Sequence, residues 1–210
     1  MRLWTDTTLT WARKWRPYHS AIDACSLLKY KAKTMFHHRR IGGVFLVDIS
    51  CFFNHLNPTL TTRILTHLDF DHQTCSWVKS FMEHPTLSMT FNNFTSDNIH
   101  PNTRTPQGSP LSPILSALVT SPILCLACQW INNDLTLYVN NGCILASSPT
   151  FLSKAENLTS AANETFKWLL SFGLSVDKDK CEVMFFHPKH HNADQYDEPP
   201  KTIQVTLGDN

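Results

Sequence analysis

Residues 135–148 read LTLYVNNGCILASS, and this stretch decides the fold. Two short apolar runs, rich in residues that favour β-strands, flank Asn140, Asn141 and Gly142. An Asn-Gly pair between such runs is a strong hairpin signal, because a tight turn of this kind needs positive φ at both central residues. The stretch therefore predicts a buried hairpin whose tip carries two adjacent amide side chains next to Tyr138. Taken alone, a structural hairpin with a polar turn is the preferred interpretation, and a tip that faces a reaction centre is the alternative.

The composition of the 210 residues is that of a globular chain without a marked net charge. Hydrophobic residues make up 42% and charged residues 17%, which excludes a disordered chain and permits a sizeable core. Lys plus Arg number 18 and Asp plus Glu 17, so any contact with nucleic acid must come from a local basic patch. The seven cysteines are scattered and mostly lie in apolar runs, which favours reduced thiols over a disulfide framework.

Residues 111–131 contain no charged side chain and are long enough to span a bilayer. Pro113, Pro122, Gln129 and several Ser and Thr residues lie in this stretch, and no basic residue flanks it directly. A helix buried in a protein core is therefore the preferred interpretation, and a membrane span is a minor alternative. The N-terminus lacks the sections of a signal peptide, so we expect an intracellular protein, in the nucleus or the cytoplasm and not secreted.

Apolar periodicity predicts the elements in front of the hairpin. A helix from about residue 20 ends in a basic run and is broken by Gly42 and Gly43. The apolar run 44–47 is a strand covered on both faces, and Asp48 ends it. A carboxylate at the end of a buried strand needs a purpose, because burying an unpaired charge is costly. Asp48 either caps the next turn or binds a metal ion.

One or two helices then cover residues 59–83, a strand pair surrounds Asn92 and Asn93, and the uncharged helix runs from 111 to about 130. A helix at 152–172 follows the hairpin, and a strand follows that helix. The residues predicted to face the core in the helices on either side are Leu60, Ile64, Leu68, Trp77, Phe81 and Met82, and then Leu152, Ala155, Leu158, Ala162, Phe166 and Leu169. This order of elements predicts an α+β fold of the split βαβ kind, with an antiparallel sheet backed by helices.

The string TPQGSPLSP at residues 105–113 closely resembles the second signature block of reverse transcriptases, most of all that of the non-LTR (LINE-type) retrotransposon group. Further blocks agree in order and spacing: RKWRPYHSAIDA at 13–24, LVDISCFFNHLN at 46–57, YVNN at 138–141 and GLSVDKDKCEVMFF at 173–186. The resemblance implies a polymerase palm with a remnant of the fingers. We assign residues 1–40 to the fingers remnant, 41–187 to the palm, and 188–210 to a linker with a possible strand at Thr202–Leu207.

The resemblance also implies a reaction, RNA-templated DNA synthesis by two-metal nucleotidyl transfer, with an RNA template, a DNA primer and deoxynucleotides as partners and Mg²⁺ as the cofactor. The implied site residues are Asp48 as a metal ligand, Asn140 and Asn141 at the two hairpin ligand positions, and Lys180 as a positive partner or proton donor to the leaving phosphates. The implied nucleotide- and template-binding residues are Phe53 as an aromatic gate against a ribose 2′-hydroxyl, Gln107 and Gly108 beneath the template base and the incoming nucleotide, Tyr138 of the hairpin block, and Arg16 as the arginine of the fingers block. A plain surface position for Lys180 is an equally open interpretation.

The sequence departs from the family at the hairpin, where YVNN stands in place of Tyr-x-Asp-Asp. Asn140 and Asn141 can each offer an amide oxygen to Mg²⁺ but no charge, and Asp48 alone remains of three aspartates. The loss of two charges is worth several kcal/mol, which corresponds to a fall in rate of ~10³-fold or more. Cys51 stands where many relatives carry glycine, and Asn54 where they carry an acid. We therefore expect an inefficient polymerase.

Two alternatives to an impaired polymerase stay open. The first is a non-catalytic, nucleic-acid-binding remnant of a retrotransposon polymerase, and the second is a relic that folds poorly and binds nothing. The sequence does not predict an oligomeric state.

Overall fold

A computed structural model of the chain describes residues 21–38, 40–83, 85–100, 105–106, 108–131, 133–186 and 203–205. Its elements are α1 (Ala21–His37), β1 (Ile41–Ser50), α2 (Phe52–His55), α3 (Pro58–His67), α4 (His72–Glu83), β2 (Thr90–Phe91), β3 (Phe94–Thr95), α5 (Leu111–Ala127), β4 (Asn133–Tyr138), β5 (Asn141–Ser148), α6 (Phe151–Ser171), β6 (Ser175–Val176), a short 3₁₀ helix (Lys178–Lys180) and β7 (Glu182–Phe186). The predicted order of helices and strands is confirmed.

Strand β1 is the centre of an antiparallel sheet. On one side it pairs with β5 from Ile41 to Asp48, and β5 pairs in turn with β4. On its other side β1 pairs with β7 over its first half and with β6 at its end. A strand flanked on both sides and largely buried must be mostly apolar, and the run from Ile41 to Val47 in front of Asp48 meets this requirement. The predicted α+β architecture with a helix-backed antiparallel sheet is confirmed.

The two faces of this sheet have different surroundings. Side chains alternate along a strand, and Phe45 on the first face packs on Phe166 of α6, with 5.9 Å between ring centroids. On the second face Gly42 lies beneath Phe186, whose ring packs edge-on against Phe36 of α1 at 5.5 Å. Asp48 has the same parity as Gly42, so it belongs to the second face, about 20 Å farther along β1 at 3.3 Å per residue.

Strand β1 is longer at both ends than the sequence predicted. Gly42 and Gly43, which were expected to break the preceding helix, lie inside β1, and the strand continues past Asp48 to Ser50. Packing explains the two glycines. A Cβ at Gly42 would lie 1.8 Å from the Phe186 ring, and one at Gly43 would lie 2.6 Å from Lys154 Cδ. The glycines therefore allow close contact with the sheet rather than end a helix.

The predicted hairpin is present, but its turn lies earlier than expected. Tyr138 pairs with Asn141, so Val139 and Asn140 form a two-residue turn. Positive φ falls on Val139, at 55°, while Gly142 lies inside β5, where an added Cβ would be 3.0 Å from Leu137. The expectation that Asn-Gly forms the turn is wrong, because Gly142 is needed for packing. A β-branched residue at positive φ is strained.

Helices α3 and α4 confirm two helices within residues 59–83, but two predicted core positions are wrong. Trp77 on α4 is 58% exposed and Leu152 on α6 is 65% exposed. In the first turn of α6 the buried positions are Phe151 and Lys154, one residue before the predicted Leu152 and Ala155, whereas Leu158, Ala162, Phe166 and Leu169 are buried as predicted. One residue corresponds to about 100° of rotation in a helix, which is sufficient to carry Leu152 out of the core.

The remaining expectations concern the strand pair, the tail and the membrane. The hairpin of β2 and β3 around Asn92 and Asn93 is confirmed. Residues 203–205, the described part of the possible strand Thr202–Leu207, have no regular secondary structure. No helix in the described ranges is both long and apolar enough to cross a membrane. All seven cysteines lie in the described ranges as free thiols.

Candidate functional site

Three residues from adjacent strands form a row on the second face of the sheet. Tyr138 is opposite Asn141, and Asn141 is opposite Asp48, and residues that are directly opposite point to the same face. A backbone hydrogen bond of 2.8 Å from Ile49 N–H to the carbonyl of Asn140 fastens the hairpin tip to β1. The structure thus brings together four of the residues that the sequence analysis singled out, from two segments far apart in the chain.

Both carboxylate oxygens of Asp48 accept hydrogen bonds. Asn140 Nδ2 donates to Oδ1 at 2.7 Å, and Lys180 Nζ donates to Oδ2 at 2.9 Å. The amide oxygen of Asn140 in turn accepts from Asn141 Nδ2 at 3.1 Å. An ionised carboxylate only accepts hydrogen bonds, so Asn140 has to present its NH₂ group to Asp48. Its oxygen therefore points away from the position at which a metal bound to Asp48 would need it.

Lys180 connects Asp48 to a second carboxylate. Its Nζ lies 2.9 Å from Asp177 Oδ2, and its side chain is 65% exposed. Asp177 precedes the 3₁₀ helix and caps it, since its side chain accepts from the backbone N–H of Asp179 at 3.3 Å. The N–H of Asp177 also donates to the carbonyl of Asp48 at 2.9 Å. Main chain and side chains together join the end of β1 to the turn that carries Lys180.

These contacts set the protonation states of Lys180 and Asp177. Hydrogen bonds from Lys180 to Asp48 and then to Asp177 raise the pKa of its ammonium well above the usual range. The hydrogen bond with Lys180 is also the main cause that lowers the pKa of Asp177. Burial raises the pKa of the neighbouring Cys181 thiol. Near neutral pH the group therefore contains one full positive charge, on Lys180.

The Mg²⁺ that the resemblance implies does not fit this arrangement. Mg²⁺ requires oxygen ligands in near-octahedral geometry at about 2.0–2.1 Å, but both oxygens of Asp48 already accept from nitrogen donors. Asn140 and Asn141 add no charge. Within the described ranges, no group of three or more His, Cys, Asp or Glu residues is arranged to hold a metal ion. A divalent ion would have to displace Lys180 and turn the Asn140 amide.

The other predicted site residues make no hydrogen bond to this group or lie outside the described ranges. Phe53 on α2 is half-buried and packs edge-on against Phe52, with 5.6 Å between ring centroids. Gly108 has a φ of 92°, a conformation that favours glycine. In the part of the chain that the structure describes, no hydrogen bond or ion pair joins Phe53 or Gly108 to Asp48. Gln107 and Arg16 lie outside the described residues.

The backbone at Cys51 has a conformation that favours glycine. Cys51, at the position where many relatives carry glycine, has a φ of 44° and precedes α2. Left-handed conformations cost little for glycine and more for other residues. A glycine at this position would therefore fit the turn that follows Asp48.

Sequence reasoning missed two residues. Asp177 was not singled out, although an Asp three residues before a Lys at a predicted loop is a signal for a capped turn that brings both side chains together. Lys154 was also missed. Its side chain is fully buried on the first face of the sheet, and its Nζ has no hydrogen-bond partner within the described ranges. It lies 5.0 Å from the centroid of the Phe151 ring, and burial lowers its pKa to about 7.

The second face is open beside the row. Cys143 and Leu46 are half-buried, Glu182 is exposed, and Met184 is 61% exposed. Helix α1 covers the opposite end of this face, at Phe186. This part of the sheet face is therefore accessible to solvent. A separate recess of about 490 Å³, lined by Thr59, Thr62, Arg63, Thr66, His67 and Lys79, contains none of these residues.

Comparison of the fold with solved structures finds telomerases. The chain matches telomerase from Candida tropicalis in complex with a TWJ fragment of telomeric RNA with a TM-score of 0.60 and 13% identity, over 86% of this chain and 33% of that one. Apo telomerase from Candida tropicalis truncated from its C-terminal domain gives 0.58 and 12%, over 82% and 36%. Telomerase from Candida albicans with the TWJ fragment gives 0.50 and 14%, over 85% and 34%.

The likeness to these structures confirms the polymerase palm fold, and the chain spans about a third of the length of the telomerase chains. No curated protein sequence matches the chain. The family model described as reverse transcriptase (RNA-dependent DNA polymerase) matches residues 6–205, which is most of the 210 residues. The chain therefore belongs to the reverse transcriptase family.

Proposed function

We propose that this chain is the palm, with a remnant of the fingers, of a reverse transcriptase from a non-LTR (LINE-type) retrotransposon, and that its catalysis is impaired. The family reaction is RNA-templated DNA synthesis, for which the partners would be an RNA template, a DNA primer and deoxynucleotides. The observation that carries the impairment is the state of Asp48, whose two carboxylate oxygens accept from Asn140 and Lys180. The division at residues 40/41 and 187/188 remains a prediction.

Charge at the site supports the impairment. A reaction of this class needs carboxylates to hold Mg²⁺, which supplies the activation of the primer 3′-oxygen and the stabilisation of the leaving pyrophosphate. Asp48 is the one acid of the row, and Lys180 neutralises it at 2.9 Å. The NH₂ group of Asn140 donates to Asp48, and the NH₂ group of Asn141 donates to the amide oxygen of Asn140. The row as folded therefore holds the hairpin tip in place without offering ligands to Mg²⁺.

The remaining residues keep the roles that the family motifs give them, as part of the same proposal. Phe53 would crowd a ribose 2′-hydroxyl, Gln107 and Gly108 would shape the floor beneath the template base, and Arg16 would contact the nucleotide from the fingers remnant. Tyr138 would contact the nucleotide or the template. Its position supports this role, because it lies in the row with Asp48 and is 41% exposed on the open face.

Primer extension on an RNA template, with Mg²⁺ or Mn²⁺, tests the proposal. We expect no extension by the wild type and extension by the double variant Asn140→Asp, Asn141→Asp. The matched control is Asn92→Asp, Asn93→Asp, which makes the same change in the exposed turn between β2 and β3. Extension by the wild type that Asp48→Ala abolishes would refute the impairment. A repaired hairpin that extends no better than the control would show that the amides are not the lesion.

A non-catalytic nucleic-acid-binding domain is the second candidate, and positive charge near the open face favours it. Lys180 is mostly exposed beside the row, and Lys29 and Lys33 are exposed on successive turns of α1, the helix that covers the other end of this face. Binding to a labelled RNA–DNA duplex in EDTA would test this candidate. Phosphate contacts predict an affinity that falls steeply with salt, whereas no binding at low salt would exclude the candidate.

A further inference from the structure

The cation of this site is already present, and it is part of the chain. Lys180 Nζ lies 2.9 Å from Asp48 Oδ2 and 2.9 Å from Asp177 Oδ2. We propose that the Lys180 ammonium occupies the cation position between these two carboxylates, with Asp177 as the residue that positions it, so that the folded chain binds no divalent metal ion there. The inference rests on the proposed function in one respect, which is that Asp48 stands at the metal-ligand position of the family.

Local backbone structure holds Lys180 in this place. Asp177 caps the 3₁₀ helix that Lys180 ends, and the N–H of Lys180 donates to the carbonyl of Asp177 at 3.2 Å. Side chains three residues apart in such a turn lie on the same side. Asp177 is itself fixed, because its N–H donates to the carbonyl of Asp48 at 2.9 Å and its carboxylate accepts from Asp179 N–H. The two carboxylates are thus placed next to each other by main-chain contacts, and the lysine reaches both from a short loop.

The Lys180 ammonium and a divalent ion cannot both lie between Asp48 and Asp177. An ammonium has three N–H donors, and two of these are used on Asp48 and Asp177. A divalent ion bound to the same oxygens would lie where Nζ lies, and it would be repelled by the positive charge. The net charge of Asp48, Asp177 and Lys180 together is −1, whereas removal of the ammonium leaves two adjacent carboxylates with a charge of −2.

The Asn140 amide reinforces this arrangement from the other side. Its NH₂ group occupies Asp48 Oδ1 at 2.7 Å, so the carboxylate has a donor on each oxygen. When Lys180 is absent, rotation of the Asn140 amide would place its oxygen, in place of its nitrogen, beside the Asp48 carboxylate. Two carboxylates and one amide oxygen are the hard ligands that Mn²⁺ and Mg²⁺ take. The chain therefore contains the ligands for a divalent ion and also the side chain that excludes it.

Mn²⁺ binding to the purified full chain, followed by electron paramagnetic resonance of the free ion and by calorimetry, tests the proposal. The variant is Lys180→Met, which keeps the length of the side chain and removes its charge. The control is Lys178→Met, which changes an exposed lysine of the same 3₁₀ turn. We expect Lys180→Met to bind Mn²⁺ at least about tenfold more tightly than the wild type, a change of about 1.4 kcal/mol. Lys178→Met should bind as the wild type does.

Removal of the second carboxylate should cancel the gain. The double variant Lys180→Met, Asp177→Asn should bind Mn²⁺ as weakly as the wild type, because one carboxylate is lost. The proposal is overturned if the wild type binds as tightly as Lys180→Met, or if folded Lys180→Met gains no affinity.

Thermal melting of the wild type keeps the proposal testable should Lys180→Met fail to fold. A ligand that binds the native state raises Tm, so Mn²⁺ at millimolar concentration should leave the Tm where NaCl of equal ionic strength leaves it. A rise in Tm that is specific to Mn²⁺ would refute the proposal. None of these measurements needs a template or a primer, so a failure here is distinguishable from a failure of the proposed polymerase function.

Discussion

The Asn140 amide donates a 2.7 Å hydrogen bond to the Asp48 carboxylate, across two strands that are 92 residues apart in the chain. With an aspartate at position 140, as the family motif has it, the same geometry would place two like charges in contact unless a cation lay between them. The amide turns this repulsion into a charge-assisted hydrogen bond. The hairpin tip and β1 are therefore held together in this chain without any metal ion.

Restoring the acid at this position should destabilise the metal-free protein. In Asn140→Asp the contact with Asp48 becomes repulsive and the donor to Asp48 Oδ1 is lost. We expect the free energy of unfolding in EDTA to fall by roughly 2 kcal/mol, as for a charged group that loses its hydrogen-bond partner. Urea denaturation measures the change. Asn92→Asp, in an exposed turn, should stay within about 0.5 kcal/mol of the wild type, and an Asn140→Asp variant as stable as this control would contradict the interpretation.

Cys51→Gly should stabilise the turn that follows Asp48. Cys51 has a φ of 44° and is exposed, so glycine relieves the left-handed backbone strain and gives up little packing. The expected gain is about 1 kcal/mol, measured as an increase in the urea midpoint. The comparison is Cys25→Gly on α1, also an exposed cysteine, which should lose roughly 0.3 kcal/mol because glycine is less favourable than cysteine inside a helix. Equal losses in both variants would rule out strain at Cys51.

Local sequence patterns predict some features of this fold, but not those that depend on contacts between distant residues. The hairpin and the order of elements follow from alternation and spacing, which local chemistry determines, whereas the row at Asp48 is implied by the family motifs. The position of the turn does not follow from alternation and spacing, since Gly142 lies inside β5, where an added Cβ would be 3.0 Å from Leu137. The same holds for Gly43, which leaves room for the side chain of Lys154 and does not end a helix. Such contacts between distant residues are not visible in a local pattern.

The candidate site shows the same division. Asp48, Asn140 and Asn141 were found because the family motifs mark them, and the sheet register brings them together. Asp177 was missed because its role depends on Lys180 reaching two carboxylates at once. The direction of the Asn140 amide also could not be predicted, since it is set by the charge of the group it faces. Residue types can be predicted from motifs, whereas the partners of their atoms require the structure.

Strands β1 and β7 pack closely at Gly42 and Phe186, and this contact can be tested. A Cβ at Gly42 would lie 1.8 Å from the Phe186 ring, so Gly42→Ala should lower the free energy of unfolding by about 2 kcal/mol through overpacking. Replacing the ring by the smaller side chain in Phe186→Leu should recover part of this loss of stability. The measurement is a double-mutant cycle by urea denaturation, and it should give a coupling of at least about 0.5 kcal/mol. Strictly additive effects would mean that the two residues do not meet.

The buried Lys154 should make stability depend on pH. Its pKa is lowered by burial from 10.5 in the unfolded chain to about 7 in the folded one. Above pH 10.5 the amine is neutral in both states. Between these two values the unfolded chain binds a proton that the folded chain does not, so the free energy of unfolding falls as pH decreases, by up to about 1.4 kcal/mol per unit. Below pH 7 the folded chain carries the buried charge and the loss is complete.

Lys154→Met should therefore be more stable than the wild type, with the largest gain at pH 7 or below and a gain that shrinks toward pH 10. Methionine keeps the length of the side chain between Phe151 and Phe185 and has no charge to bury. Urea denaturation of both proteins from pH 6 to pH 10 measures the difference. Lys167→Met, an exposed lysine on the same helix, serves as the control and should follow the wild type at every pH. A Lys154→Met variant whose stability runs parallel to the wild type would show that this amine does not titrate in the range, and a less stable one would mean that Lys154 has a polar partner when folded.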